Sequence, residues 1–227
     1  MDLLDIARGP ALVFAVAVFA LGTLWRLVAV LRLPRMTDLS PAREGAPSNL
    51  NAAVTGIMRG LWPRRAFGAA AMGSTINGYV FHIGLALIVL GYAPHIEFIR
   101  RISGLGWPAL PDIVMYLASG FTMISLLLAL WFRLTDPVLR AISNADDLIS
   151  WTVVFLPIFT GMAVMSGPSD VILAREHVLY RGPLAVHLLT LELLLVWFPF
   201  GKLMHAVLYP FSRGATGIRF SHRGVRI

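Results

Sequence analysis

The stretch His187–His205 reads HLLTLELLLVWFPFGKLMH. It begins and ends with histidine and lies in an apolar run over residues 183–209. That run is long enough to cross a bilayer, since a spanning helix needs roughly 20 mostly apolar residues. In one regular helix, 18 positions make five full turns, so both rings leave the same face about 27 Å apart. The spacing predicts two separate binding sites on one transmembrane helix, one near each membrane surface.

Four other stretches are as long and as apolar as the first. They cover residues 10–32, 72–94, 111–132 and 147–166. With the run over 183–209 they predict an all-α membrane protein, a five-helix transmembrane bundle that forms a single domain over residues 1–227.

The composition excludes several classes of protein. Apolar residues make up 57% of the chain and charged residues 14%, whereas a soluble domain carries about 25% charged residues. An ordinary water-soluble enzyme is therefore excluded. The chain has no cysteine, which excludes a disulfide framework, a thiolate zinc site and an iron–sulfur cluster held by this subunit alone.

The net charge of +7 is distributed unevenly over the predicted loops. Basic residues collect on the cytoplasmic side of membrane proteins, and one side here carries 14 of them against 5 on the other. This predicts the N-terminus outside and the C-terminus in the cytoplasm, and it explains the basic excess without nucleic-acid binding. The predicted cytoplasmic set is Arg26, Arg32, Arg35, Arg43, Arg59, Arg64, Arg65, Arg133, Arg140, Lys202, Arg213, Arg219, Arg223 and Arg226, and the outer set is Arg8, Arg100, Arg101, Arg175 and Arg181.

The longest predicted loop, residues 33–71, lies on the cytoplasmic side. Within it, Asn49–Trp62 reads NLNAAVTGIMRGLW and has apolar residues at helical spacing, which predicts a short amphipathic helix. Such a helix either lies on the membrane and stiffens the loop or forms a docking surface for a partner. The apolar positions are Leu50, Val54, Ile57, Met58 and Leu61.

Histidines are the candidate functional residues. His82, His187 and His205 lie inside predicted spans, and His95 follows the second span. Ionisable side chains in a bilayer are costly and usually functional. A b-type heme needs two axial imidazoles from facing helices and an apolar slot, so the histidines predict bis-histidine heme b. A proton relay and structural hydrogen bonding are the alternatives. A relay would need acidic groups spread through the spans, and Glu192 is the single carboxylate deep in one.

Glycines along the second span bear on the same prediction. Gly78, Gly84 and Gly91 would let a flat ring approach this helix closely, or they serve helix packing alone.

Three motifs resemble the cytochrome b (gamma) subunit of respiratory nitrate reductase and the related membrane subunits of heterodisulfide-reductase-like complexes. They are FHIG at Phe81–Gly84, DPVLRAISNADDLIS at Asp136–Ser150, and the stretch His187–His205. The last is the most specific, because that family ends its fifth span with two histidines 18 apart and a Pro-Phe-x-basic-x-x-His sequence.

The resemblance implies a five-helix anchor in the bacterial inner membrane. Its two b hemes would link the quinone pool to a cytoplasmic iron–sulfur subunit and a further soluble oxidoreductase subunit. His82 would pair with His205 nearer the cytoplasm. In nitrate reductase the partner of the His187 position lies ten residues after the FHIG histidine, and that position here is Tyr92. Either His95 pairs with His187, or the outer heme is absent and both line a quinone site.

The resemblance assigns no catalytic residue to the chain, so we expect an electron-transfer subunit of a quinone-linked oxidoreductase rather than a catalyst acting alone. Lys202 would pair with a heme propionate or reach the aqueous interface. Glu192 would take part in quinone proton exchange or form a hydrogen bond between helices. Asp146 and Asp147 would begin the fourth span. A heme-free membrane anchor and a proton or ion translocator are the rival functions.

Overall fold

The computed structural model describes residues 2–34, 38–62, 68–165 and 178–225. These ranges hold helices and connecting segments, and they contain no strand. Five basic residues that carry the orientation prediction lie outside the described residues, namely Arg35, Arg64, Arg65, Arg175 and Arg226. We number the described helices α1 (Leu3–Arg8), α2 (Pro10–Leu31), α3 (Asn49–Gly60), α4 (Gly68–Gly91), α5 (Ala93–Ser103), α6 (Asp112–Thr135), α7 (Pro137–Ile142), α8 (Ala145–Val164), α9 (Val178–Trp197) and α10 (His205–His222).

Four helical segments are long and apolar enough to cross a membrane: Leu3–Leu31, Met72–Gly91, Asp112–Thr135 and Ala145–Val164. A fifth span is present if the bent pair Arg181–Trp197 and Lys202–His222 counts as one. The predicted all-α fold is therefore confirmed for the described residues, which hold four to five candidate membrane spans.

The prediction of one regular helix over 183–209 is wrong. Helix α9 ends at Trp197, a 3-10 turn covers Lys202–Met204, and the two helical segments meet at an angle of 76°. Pro199 has no N–H to donate within a helix, and the amides of Phe200 and Gly201 both bond the carbonyl of Trp197. A side chain on Gly201 would collide with the Trp197 indole. His187 and His205 therefore lie on different helices and share no helix face.

Neighbouring spans run antiparallel from α4 to α9. On α4 and α6, the Asn77 amide bonds the Ser125 carbonyl at 3.0 Å. On α6 and α8, the Trp151 indole bonds the Leu126 carbonyl at 2.9 Å. On α8 and α9, the Trp197 indole bonds the Ser150 hydroxyl at 3.0 Å. These bonds fix the order of α4, α6, α8 and α9 around the bundle.

Helix α2 completes the bundle beside α9 and runs parallel to it. Arg181 at the start of α9 forms an ion pair with Asp2 at 2.6 Å, and the rings of Phe19 and Phe198 lie 5.1 Å apart. Among the described residues α4 packs along α6, α9 packs along α8 and α2, and α4 makes few contacts with α9. Helix α4 therefore does not pack along α9.

Helix α3 occupies most of the predicted amphipathic stretch and packs on α10. The contact depends on small residues, because a Cβ on Gly56 would lie 2.7 Å from the Cα of Gly217. The Tyr209 hydroxyl also donates to the Ile57 carbonyl at 3.1 Å. The opposite side of α3 exposes an apolar stripe of Leu50, Val54, Met58 and Leu61.

The start of the fourth span is as predicted from Asp146 and Asp147. Both lie in the first turn of α8, near the positive end of its dipole. Asn144 caps the helix, and the side chains of Asn144 and Asp147 each bond the other's backbone N–H, forming a capping box.

Candidate functional site: two histidine pairs

His82 and His205 form the first histidine pair. Their ring centres lie 6.2 Å apart, and the ring planes make an angle of 85°. His82 lies in the middle of the α4 span, and His205 is the first residue of α10. The break after Trp197 turns the chain and thereby places His205 across from α4.

His95 and His187 form the second histidine pair. Their ring centres lie 6.3 Å apart, with ring planes only 17° from parallel. On a continuous helix His95 would be rotated roughly 140° from His82. Helix α4 instead ends at Gly91, and Tyr92 has an extended backbone with φ −81° and ψ 128°. Helix α5 then starts a new phase, which brings His95 to His187.

Each of the four rings has a polar contact at its Nδ1 atom. The distances are 2.7 Å from His82 to the Gly78 carbonyl, 2.8 Å from His205 to the Lys202 carbonyl, 2.9 Å from His95 to the Ile88 carbonyl, and 3.3 Å from His187 to the Thr160 hydroxyl. A carbonyl acceptor fixes Nδ1 as the protonated nitrogen and leaves Nε2 with its lone pair. The Nε2 atoms of His82, His95 and His205 have no hydrogen-bond partner among the described residues.

His222 shows the contrasting structural use of histidine. Its Nε2 bonds the carbonyl of Ser40 at 2.9 Å and joins the end of α10 to the segment before α3. The ring nitrogen that a metal would need is therefore engaged in His222 and free in three of the four paired histidines.

The donor set suits a planar group bound between two imidazoles better than a metal ion held by three or more side chains. Among the described residues no group of three or more His, Cys, Asp or Glu side chains is arranged to hold a metal ion. Each site instead offers two imidazoles. Two imidazoles that bind one ion from opposite sides, each with a metal–nitrogen distance of about 2.0 Å, hold their ring centres roughly 6 Å apart. Both pairs fit this spacing.

The glycines of α4 divide into two kinds. A Cβ on Gly84 would collide with Thr122, and one on Gly91 would lie 3.1 Å from the Met115 sulfur, so both glycines serve packing on α6. A Cβ on Gly78 would meet no described atom within 4 Å. Gly78 lies one turn before His82, so the open space adjoins the first histidine pair.

Lys202 lies in an ion-pair network. Its Nζ is 2.6 Å from Asp147 Oδ2, and Arg133 Nη1 is 3.0 Å from Asp147 Oδ1. The Asp147 side chain is only 5% exposed. The network joins α6, the start of α8 and the turn before α10. It already pairs Lys202, the residue that the sequence analysis proposes for a heme propionate.

Tyr92 and Glu192 are buried and incompletely bonded. The Tyr92 ring lies 5.3 Å from the His95 ring, and its hydroxyl has no hydrogen-bond partner among the described residues. Glu192 is 5% exposed, and its Oε1 atom likewise has no partner there. The unpartnered Tyr92 hydroxyl is thus a polar group beside the second histidine pair.

The sequence analysis did not identify the two threonine hydroxyl groups that contact His187. Thr160 Oγ1 lies 3.0 Å from Thr190 Oγ1, and the Thr190 hydroxyl donates to the His187 carbonyl at 2.8 Å. Thr190 follows His187 by three residues on the same helix face, which was a readable signal. Thr160 is distant in sequence, and no pattern in α8 marks it.

Comparison with known proteins gives one informative relationship. No protein-family model matches the chain. The chain is similar to a protein of Nitratidesulfovibrio vulgaris (strain Hildenborough) that carries the description "Protein", with 30% identity over 219 residues. The similarity covers 94% of this chain and 91% of the relative. The chain therefore belongs to the same family as this Nitratidesulfovibrio vulgaris protein.

Proposed function

We propose that the chain is a membrane cytochrome b subunit whose two histidine pairs each hold one heme b. The observation that carries this proposal is the ring spacing of 6.2 Å and 6.3 Å in the two pairs. The four histidines come from α4, α5, α9 and α10, so four helices contribute to two pairs with the same ring spacing. Histidines that met by chance would not be expected to form two pairs with the same spacing.

The residues around each pair supply what an axial ligand needs. The carbonyls of Gly78, Lys202 and Ile88 orient three of the rings and raise the basicity of their Nε2 atoms. Heme b, when bound, supplies a one-electron carrier at each site.

The two pairs lie at different depths. Nine residues of α4 separate His82 from Gly91, which is a rise of about 14 Å, and His95 lies beyond that end. We assign the second pair to the quinone side, where the unpartnered Tyr92 hydroxyl can donate a hydrogen bond to a quinone oxygen. Glu192, buried on α9, is the candidate to hold and release a proton there.

The first pair faces the cytoplasm in this proposal. The excess of basic residues on that side supports an orientation with the N-terminus outside and the C-terminus in the cytoplasm. The unit formed by α3 and α10 lies at the same end of the bundle and presents Arg213, Arg219 and Arg223. A cytoplasmic iron–sulfur subunit, with a further soluble oxidoreductase subunit, would dock there.

The proposed family role is that of a nitrate-reductase-gamma-like or heterodisulfide-reductase-like subunit in a bacterial inner membrane. The motifs FHIG and His187–His205 support it. The chain would pass electrons between the quinone pool and its soluble partners.

A reduced-minus-oxidised optical spectrum of the purified protein tests the proposal. We expect the sharp α band of low-spin heme b and two hemes per chain. His82→Ala and His95→Ala should each remove one heme, because each variant deletes an axial ligand of one pair. His222→Ala is the matched control and should keep both hemes. A wild-type spectrum without the band would favour a heme-free anchor or an ion translocator.

A further inference from the structure

Two polar side chains in the apolar run of α2 have no partner. Arg26 Nε and Thr23 Oγ1 are buried and form no hydrogen bond with any described residue. Both belong to the candidate span Leu3–Leu31. An ionised side chain within a membrane span is costly unless it meets an opposite charge. The pair of donors therefore indicates a ligand that brings acceptor oxygens.

Thr23 lacks the backbone hydrogen bond that most helical threonines form among the described residues, and Thr55 in α3 lacks it too. A threonine within a helix usually donates to the carbonyl of the preceding turn, and five described threonines do so at distances of 2.6 Å to 2.9 Å. Thr23 makes no such bond. Its hydroxyl is therefore free to donate to a ligand. The five are Thr122, Thr135, Thr152, Thr160 and Thr216.

The position of these donors relates them to His205. Phe19, Gly22 and Arg26 follow one face of α2 at helical spacing. Phe19 contacts Phe198, and a Cβ on Gly22 would lie 2.7 Å from Pro199 Cγ. This face of α2 therefore meets the turn between α9 and α10, a few residues before His205.

At this end of the bundle Arg26, and not Lys202, has a cationic group that is available to a ligand. Lys202 is engaged by Asp147 at 2.6 Å, whereas Arg26 has no anionic partner among the described residues. A guanidinium group binds carboxylate and phosphate oxygens with paired, charge-assisted hydrogen bonds. The unpartnered guanidinium thus suits an oxyanion ligand near the turn that precedes His205.

We propose that Arg26 and Thr23 form an oxyanion site that binds a propionate of the heme held by His82 and His205. The inference rests on the proposed function, because the heme there supplies the carboxylate. A lipid phosphate has similar chemistry and is the alternative source of the oxyanion. Arg26 is a positioning residue in this account, since it touches the cofactor's periphery and not its iron.

The test measures the midpoint potential of each heme in the purified full-length chain by optical redox titration. Arg26→Gln should lower the potential of one heme and leave the other unchanged, because the nearby positive charge favours the reduced state, which is more negative by one charge. Arg26→Lys should restore most of the wild-type potential. Arg32→Gln is the matched control, since Arg32 is exposed at the end of α2, and it should shift neither potential.

The possible outcomes separate this inference from the proposed function. Two wild-type hemes with no shift in Arg26→Gln would overturn the propionate site alone, and a loss of co-purified anionic phospholipid would then assign the oxyanion to lipid. Equal shifts of both hemes would also overturn it, as a general disturbance. A wild-type protein without heme would overturn both proposals. If Arg26→Gln fails to accumulate, Thr23→Val should give a smaller shift in the same direction, and no shift would count against the site.

Discussion

Replacing Gly78 with leucine tests whether the space beside His82 belongs to a cofactor. A Cβ at Gly78 meets no described atom within 4 Å, so the leucine side chain should not strain the polypeptide. Leucine in place of glycine within a helix also favours folding by about 1 kcal/mol. From the polypeptide alone, Gly78→Leu should therefore be neutral or mildly stabilising.

The effect on heme should have the opposite sign. If a macrocycle lies between His82 and His205, a leucine one turn from His82 projects into its edge. We expect heme content to fall from two per chain to one, with the second pair still occupied. The assay combines heme extraction with a thermal unfolding curve of the same preparation.

A control variant shows whether the loss of heme is specific to the position beside His82. Gly120 on α6 also has no described atom within 4 Å of a built Cβ, and it belongs to a helix that carries none of the four histidines. Gly120→Leu should keep two hemes. Full heme content in Gly78→Leu would refute the reasoning that the open space adjoins a bound macrocycle.

Three further variants or conditions test separate contacts. In Gly217→Ala the new methyl group would lie against the Ala52 carbonyl and 2.9 Å from Gly56 Cα, so unfolding should cost about 1–3 kcal/mol less. Gly214→Ala, whose Cβ would make an ordinary 3.5 Å contact with Ala53, should be neutral, and an equal loss in both would contradict the packing account. In Gly161→Ala the Cβ would lie 3.1 Å from His187 Cε1, so the redox titration should show a shifted potential for the second heme only. The Arg223 guanidinium, with help from Ser40, holds the pKa of Asp38 well below its usual value, so the contribution of this ion pair to stability is complete above a pH of about 4 and declines as the pH falls toward the lowered pKa. Hydrogen exchange around Arg43 should accelerate over that range and, at neutral pH, in Asp38→Asn. Unchanged exchange would contradict it.

The first four spans could be predicted from the sequence because apolar length alone determines them. The fifth could not, because the run over 183–209 is apolar throughout and only Pro199 and Gly201 mark the break. Hydropathy does not distinguish a bent pair of helices from a straight one. The packing of the Trp197 indole against Gly201 cannot be read from the sequence.

The partners of the histidines were only partly predictable. His82 with His205 followed from the resemblance, but the geometry expected for His205 on one long helix was wrong. The choice between His95 with His187 and an unpaired arrangement depended on the helix phase after Tyr92, which a local break sets. Sequence spacing gives phase only while the helix is continuous.

The contacts of the charged residues were the hardest feature to predict from the sequence. The count of basic residues places Arg26 on the cytoplasmic side, and the structure places it within the candidate span Leu3–Leu31. Lys202 was considered for a propionate, although Asp147, 55 positions earlier in the chain, binds it. Both outcomes depend on contacts between helices that are distant in sequence, and such contacts leave no local pattern.

The central claim is that each histidine pair binds one iron between its two rings. An anomalous difference map collected at the iron edge from crystals of the purified protein tests it directly. The account predicts two iron peaks, each about 2.0 Å from the Nε2 atoms of one pair. A map without iron at either pair, or with iron bound elsewhere, would contradict it.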